Sequence, residues 1–126
     1  MITVNSYVNG SWESVSGSDS VVAEQEVYNQ DTVLFLYDYS KGDEDGFQII
    51  YSFEFDLISN KVFEMTKLSG QEVVTQVLQV MESGTKAVPL VAPLGVEKLK
   101  VKVSLINPTG SLGDLTVWLL PNSLYF

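Results

Sequence analysis

The chain has 126 residues, of which 45% are hydrophobic, and its seven lysines stand against sixteen acidic residues for a net charge of −9. A single domain of this length can bury a stable core without disulfides or a structural metal. The absence of cysteine and histidine excludes disulfides, metal sites with thiolate or imidazole ligands, and histidine-based catalysis. Because nucleic-acid binding depends on neutralising phosphates, this acidic balance argues against a nucleic-acid partner. No apolar run approaches the roughly eighteen residues of a membrane span, and no secretory signal is evident, so we expect synthesis in the cytoplasm and no membrane partner.

The first twenty residues are expected to form an extended arm or an edge hairpin of one domain that spans residues 1–126. Asn9-Gly10 is a favourable tight-turn dipeptide, since both residues tolerate positive φ. It would join residues 2–8 to residues 11–16 as a small hairpin. A further strand is predicted over residues 21–28.

Residues 31–57 carry the clearest strand pattern in the chain. Val33, Phe35 and Tyr37 share one face of a first run whose aromatic and β-branched content suits a pleated sheet. A polar segment with two glycines follows and indicates a loop between neighbouring strands. In the second run apolar residues occupy alternate positions, as is typical of a half-buried strand: Phe47, Ile49, Tyr51, Phe53, Phe55 and Leu57.

The middle of the chain contains one ambiguous segment. After a turn, residues 61–68 alternate weakly and predict another strand. Residues 72–81 then place apolar side chains at helical spacing, and Ser69 with Glu72 has the spacing of a capping box. The same segment is rich in valine, which favours a strand. Because the neighbouring segments are all strand-like, we predict a strand here.

The last third of the chain predicts an edge strand or an extended crossover, followed by two further strands. Pro89 and Pro93 exclude residues 87–94 from the centre of a sheet. Residues 96–106 alternate between apolar and lysine positions, and residues 115–119 alternate again before Pro121 ends the pattern. The sequence therefore predicts an all-β fold, a two-sheet antiparallel sandwich that is jelly-roll-like. The predicted core comprises Phe47, Tyr51, Phe53, Phe55, Leu99, Val101, Val103, Val117 and Leu119.

Two groups of acidic residues are candidates for chemistry. The segment Asp43-Glu44-Asp45, with Asp38 nearby, is either a calcium loop or a solvated turn, and we favour the turn because the EF-hand spacing is absent. Glu54 and Asp56 are either a glycosidase pair or exposed strand charges, and two neighbours on one strand are poorly placed to clasp a sugar. No nucleophile, phosphate-binding or metal motif occurs, so we expect no enzyme activity, no cofactor and no metal.

The candidate interface residues lie in three places. Lys98, Lys100 and Lys102 form a basic ladder that either pairs with an acidic strip on a neighbouring subunit or guards an exposed strand. Trp12 and Trp118 suggest a platform for binding carbohydrate. Trp118 is expected on the outer face of its strand, and we consider cover by the second sheet, the N-terminal arm or a partner subunit a better explanation for it than a sugar. The tail after Pro121 is expected to dock on a neighbouring subunit through three large apolar residues: Leu124, Tyr125 and Phe126.

Two stretches together resemble a known class of proteins. One runs from Tyr37 to Glu44 and continues at Ile49–Phe55, and the other covers Ala92–Val103 and Gly113–Leu119. They are similar to small β-sandwich structural proteins of tailed bacteriophages, which decorate or cement a capsid. The resemblance implies a virion protein without catalytic residues that contacts capsid subunits and self-associates. The alternative is a carbohydrate-binding or receptor-binding β-sandwich module.

Overall fold

The computed structural model describes residues 1–8, 10–27, 32–55, 72–91 and 96–121. Within these ranges the chain forms two sheets and no helix. The described residues therefore contain no helix that could cross a membrane. The nine strands are β1 (Ile2–Val8), β2 (Ser11–Gly17), β3 (Ser20–Glu26), β4 (Thr32–Ser40), β5 (Gly46–Phe55), β6 (Glu72–Val80), β7 (Gly84–Val91), β8 (Val96–Ile106) and β9 (Asp114–Pro121).

The two sheets pack face to face in the strand order of a jelly roll. A five-stranded sheet has the order β2-β1-β9-β4-β7, and a four-stranded sheet has the order β3-β8-β5-β6. From β2 onward the chain passes between the sheets after nearly every strand, and only β5 and β6 are consecutive within one sheet. This arrangement confirms the predicted all-β sandwich and its jelly-roll-like character.

The N-terminal hairpin departs from the expected all-antiparallel pairing. Gly10 has a φ of 86° at its turn, as the Asn9-Gly10 dipeptide predicts, but β1 lies inside the sheet and pairs with β9 in parallel. The physical reason is the composition of the hairpin. Ile2 and Val4 on β1 are fully buried, whereas β2 contains three serines and a glutamate and is almost entirely exposed, so the more apolar strand takes the interior position. Of the two alternatives for the first twenty residues, an extended arm or an edge hairpin, the described residues form the hairpin, with β2 at the sheet edge and β1 inside the sheet.

The core lies between the inner faces of the two sheets. Every predicted core residue whose side chain is described is buried, and the side chain of Phe55 lies outside the described part. Phe35 and Tyr51 meet edge to face with ring centroids 5.0 Å apart, and Tyr39 and Phe47 do the same at 4.9 Å. Such pairs add to the burial energy of the rings and hold the sheets in register.

The ambiguous middle segment is a strand, as predicted. Residues 72–80 form β6 and pair antiparallel with β5, with an irregularity in register after Tyr51. The predicted edge strand is also confirmed, since β7 ends the five-stranded sheet and contains Pro89. The strand predicted over residues 61–68 lies outside the described residues, as does Leu57.

One buried amide connects the two sheets. The Gln25 side chain on β3 is only 1% exposed and reaches the backbone of Tyr7 on β1. Its Oε1 accepts a hydrogen bond from Tyr7 N, and its Nε2 donates to Tyr7 O, both at 2.8 Å. The pairing of β1 with β9 ends at Ser6 and Leu119, just before Tyr7, and Pro121 of β9 has no N–H to donate. The glutamine side chain thus pairs backbone groups that β9 leaves open.

Candidate functional site

The outer face of the five-stranded sheet is apolar over much of its area. Because side chains alternate along a strand, the residues that point away from the core on neighbouring strands form cross-strand rows. One row passes through Trp118 and Leu36 to Ala87, and the next through Leu120 and Leu34 to Pro89. We call the outer apolar band the set Tyr7, Trp12, Leu34, Leu36, Ala87, Pro89, Val91, Trp118 and Leu120.

The band is partly open to solvent. Trp12 is 44% exposed and Val91 is 66% exposed, while Leu34, Leu36 and Trp118 in the middle of the sheet are half-buried by one another. All nine described strands belong to the two sheets, so no described strand packs over this face. Large apolar side chains grouped in this way are typical of contact surfaces.

The band carries no charge, and the outer face becomes polar toward one end. Beyond Trp118 the next row consists of Ser16, Thr3, Thr116, Asp38 and Thr85 across the five strands. The Thr85 hydroxyl donates a hydrogen bond of 3.1 Å to the Asp38 carboxylate on the neighbouring strand of the same sheet. The face is thus graded from an uncharged apolar end to a threonine-rich end.

Trp12 and Trp118 belong to one surface, as the tryptophan prediction allowed, but they do not form a flat platform. Trp12 lies on β2, the last described strand at this end of the sheet, and its ring centroid is 5.2 Å from that of Tyr7 with an angle of 82° between the rings. Sugar stacking needs the open face of a ring, and two perpendicular rings do not offer one continuous face. Trp118 lies two strands away, between Asn5 and Leu36.

Most residues of the band were missed by sequence reasoning. A signal was nevertheless present, because β4 is apolar on both faces: Leu34 and Leu36 alternate with the buried Val33 and Phe35. Only a strand covered on both sides normally has this pattern. The pattern reflects the pairing of β4 with β9, which has Trp118 and Leu120 on the same outer face.

The lysine ladder contacts its own chain. Strand β3 lies beside β8, so that Glu24 is placed within 3.6 Å of the Lys98 ammonium and 3.7 Å of the Lys100 ammonium. These groups are partly exposed, so the pairs add little stability. Lys102 is exposed on the same outer face. The pairing of the ladder with a neighbouring subunit stays a prediction.

The acidic segment Asp43-Glu44-Asp45 is a structural clamp, so the solvated-turn interpretation is wrong for its central residue. Glu44 is 1% exposed, and its carboxylate accepts hydrogen bonds from Gly113 N at 2.8 Å and Gly42 N at 3.0 Å. Asp43 accepts a bond from Ser111 N, and Asp45 accepts one from the Asn107 side chain, each at 2.7 Å. These carboxylates fasten the β4–β5 loop to the β8–β9 loop.

Glycines make the close approach of these two loops possible. A side chain at Gly113 would collide with the Ser40 carbonyl and the Glu44 carboxylate. One at Gly42 would collide with the backbone of residues 111–113. The loops therefore pack backbone against backbone, which no residue with a Cβ permits here.

Two buried tyrosines have perturbed titration. Burial, followed by the negative charge of Glu44, raises the pKa of Tyr39 to about 12, and among the described atoms its hydroxyl has no hydrogen bond of good geometry. Burial first, and then the neighbouring Tyr37, raises the pKa of Tyr51 even further. Both shifts favour the neutral phenol, so these groups are core components that resist ionisation.

Some predicted site residues cannot be placed. The side chain of Glu54, and Asp56, Leu124, Tyr125 and Phe126, lie outside the described residues. In the described ranges, no three acidic side chains are grouped so that they could hold a metal ion. The carboxylates of the 43–45 segment are instead directed at N–H groups.

Comparisons of the chain with protein-family models, curated proteins and solved structures find no match. The function therefore has to be inferred from the surfaces of the chain itself.

Proposed function

We propose that this protein is a virion structural protein, a capsid decoration or other accessory head protein that acts through protein–protein contacts. Its partners are capsid subunits, and the outer apolar band is the contact surface. The observation that carries this proposal is the band itself: a continuous, uncharged, apolar area on the outer face of a sheet.

The energetics of the band favour docking. Complete burial of a large apolar side chain contributes about 1.5–3 kcal/mol relative to an exposed one. Trp12 and Val91 are substantially exposed, and the half-buried leucines between them add to the area that a partner would cover. The side chains belong to hydrogen-bonded strands, so little ordering entropy opposes their contact with a partner.

Charge indicates the kind of partner surface. The chain has a net charge of −9, which disfavours an acidic partner surface. The outer face of the four-stranded sheet exposes the charged groups Glu24, Lys98 and Lys100, whereas the outer apolar band carries no charged residue. An uncharged apolar patch on a capsid subunit fits the band. Self-association through the same face is the competing outcome.

Mass spectrometry of purified phage particles tests the proposal. Particles from the phage that encodes this sequence should contain the chain in many copies, in a fixed ratio to the major capsid protein. Its detection only in the lysate, and not in washed particles, would contradict a role in the virion.

A carbohydrate-binding or receptor-binding module is the second candidate, and the exposed Trp12 ring favours it. The perpendicular arrangement of Trp12 and Tyr7 weakens it, since a sugar could stack on only one of the two rings. A glycan array separates the two functions. Binding that is lost in Trp12→Ala would support the second candidate over the first.

A further inference from the structure

The two described sheets differ in width, so part of one inner face has no described strand of the other sheet opposite it. Val4 on β1 and Val15 on β2 are direct cross-strand partners, and both point toward the second sheet. Val4 is fully buried, whereas Val15 is 43% exposed. The difference arises because β2 is the fifth strand of its sheet and extends past β3, the last strand of the opposite sheet.

A cleft occupies the resulting space between β2 and β3. Its volume is about 360 Å³, and Val8 and Val15 contribute its apolar lining. Glu13 lies on the inner face of β2 with Val15, whereas Glu24, Glu26 and Lys98 lie on the outer side of the cleft, where Glu24 pairs with Lys98. The lining residues therefore include three acidic groups and one basic group, with Glu26 at the outer margin.

The strand beside the cleft has an open edge. Among the described strands, β3 has a neighbour, β8, on one side only. Edge strands are commonly protected by lysine or proline, but β3 contains neither. An added strand next to β3 would lie opposite β2 and give both sheets five strands.

We propose that this cleft binds an extended segment of a partner protein in which apolar and basic side chains alternate. The segment adds to β3 as a strand, since strand addition supplies main-chain hydrogen bonds while alternate side chains provide specificity. Its apolar side chains cover Val15 and Val8 on the inner side, and its lysines or arginines lie beside Glu26 on the outer side. This contact uses a surface separate from the outer apolar band, and it does not depend on the proposed virion function.

Peptide titration of the full chain tests the proposal. The probe is a capped peptide as long as β3 with alternating valine and lysine, and its counterpart has glutamate in place of lysine. Binding is measured by calorimetry to the unmodified chain, to Glu26→Lys and to Glu82→Lys. Glu82 is an exposed acidic residue that does not line the cleft, so its variant controls for the change in net charge. Thermal melting verifies that both variants fold.

The valine–lysine peptide should bind about tenfold more weakly to Glu26→Lys than to the unmodified chain, because an exposed ion pair is lost and a like-charge contact replaces it. Glu82→Lys should bind as the unmodified chain does, and β3 amides should gain protection from hydrogen exchange when the peptide binds. The proposal is overturned by absence of binding at millimolar peptide, by equal binding of the glutamate peptide, or by an equal effect of Glu82→Lys. It is also overturned if the β3 edge is fully protected before peptide is added, which would mean that another part of this chain occupies it.

Discussion

Glu44 illustrates how an acidic residue in a polar turn becomes part of the core. Its side chain is 1% exposed, and burial of a carboxylate without partners would be very costly. The N–H groups of Gly42 and Gly113 provide those partners, and both belong to loops that have no strand partner at that point. One side chain therefore satisfies the backbone of two loops at once.

Replacement of Glu44 by glutamine should destabilise the fold by about 1–3 kcal/mol, because an NH₂ group would take the place of an acceptor that faces N–H donors. Urea unfolding at neutral pH measures the loss. Glu82→Gln, at an exposed position, is the matched control and should change the free energy of unfolding little. Equal effects of the two substitutions would show that Glu44 does not clamp the loops.

The buried tyrosines predict a loss of stability at alkaline pH. Because the pKa of Tyr39 is raised from 10.0 to about 12 in the folded chain, its contribution is complete below pH 10 and is lost as pH rises through about 12. Tyr39→Phe removes this contribution, so the variant should lose less stability than the unmodified chain between about pH 9 and pH 11. Urea unfolding at several pH values provides the comparison. Parallel pH profiles of the two proteins would show that Tyr39 ionises as freely as in the unfolded chain.

At the level of elements, alternation in the sequence was sufficient to place most strands. The apolar residues of β5, β8 and β9 recur at every second position, and a strand is the structure in which such residues share a face. The ambiguous segment of residues 72–80 followed the β-branched preference of its valines, and β7 has its proline at an edge. These features depend on local chemistry, which a sequence displays directly.

Features that depend on which strands are neighbours could not be predicted. The parallel pairing of β1 with β9 joins residues more than a hundred positions apart, and no local pattern distinguishes it from an antiparallel pairing. The same limitation concealed Glu24 as the partner of Lys98, and Gln25 as the connection to Tyr7. The outer apolar band was missed because its residues lie on five different strands.

Gln25 connects two elements, and its replacement by glutamate should be costly. Its Nε2 donates to the carbonyls of Tyr7 and Glu26, and a carboxylate oxygen in that place would face two acceptors inside the core. We expect Gln25→Glu to lower the free energy of unfolding by at least about 2 kcal/mol at neutral pH. Gln79→Glu makes the same chemical change at an exposed position on β6 and is the control. Similar melting temperatures for the two variants would contradict the proposed connection between the sheets.

At the scale of the whole molecule, the two outer faces are chemically different. The face of the four-stranded sheet carries the lysine ladder and its glutamate, whereas the face of the five-stranded sheet carries the outer apolar band. Strands β1 and β2 widen the five-stranded sheet beyond the four-stranded one, and they also contribute Tyr7 and Trp12 to the band. The N-terminal hairpin thus enlarges the apolar face and opens the cleft beside β3.

The most direct test of the outer apolar band as the contact surface compares two exposed valines on edge strands. Val91 lies in the band on β7 and is 66% exposed, while Val77 lies on the other outer face on β6 and is 52% exposed. Each is changed to lysine, and the amount of each variant that co-sediments with phage particles is measured relative to the unmodified chain. A lysine inside an apolar contact must give up its hydration, so Val91→Lys should reduce particle association by about tenfold or more, while Val77→Lys should associate normally. Normal association of Val91→Lys, or a selective loss in Val77→Lys, would contradict the assignment of this face.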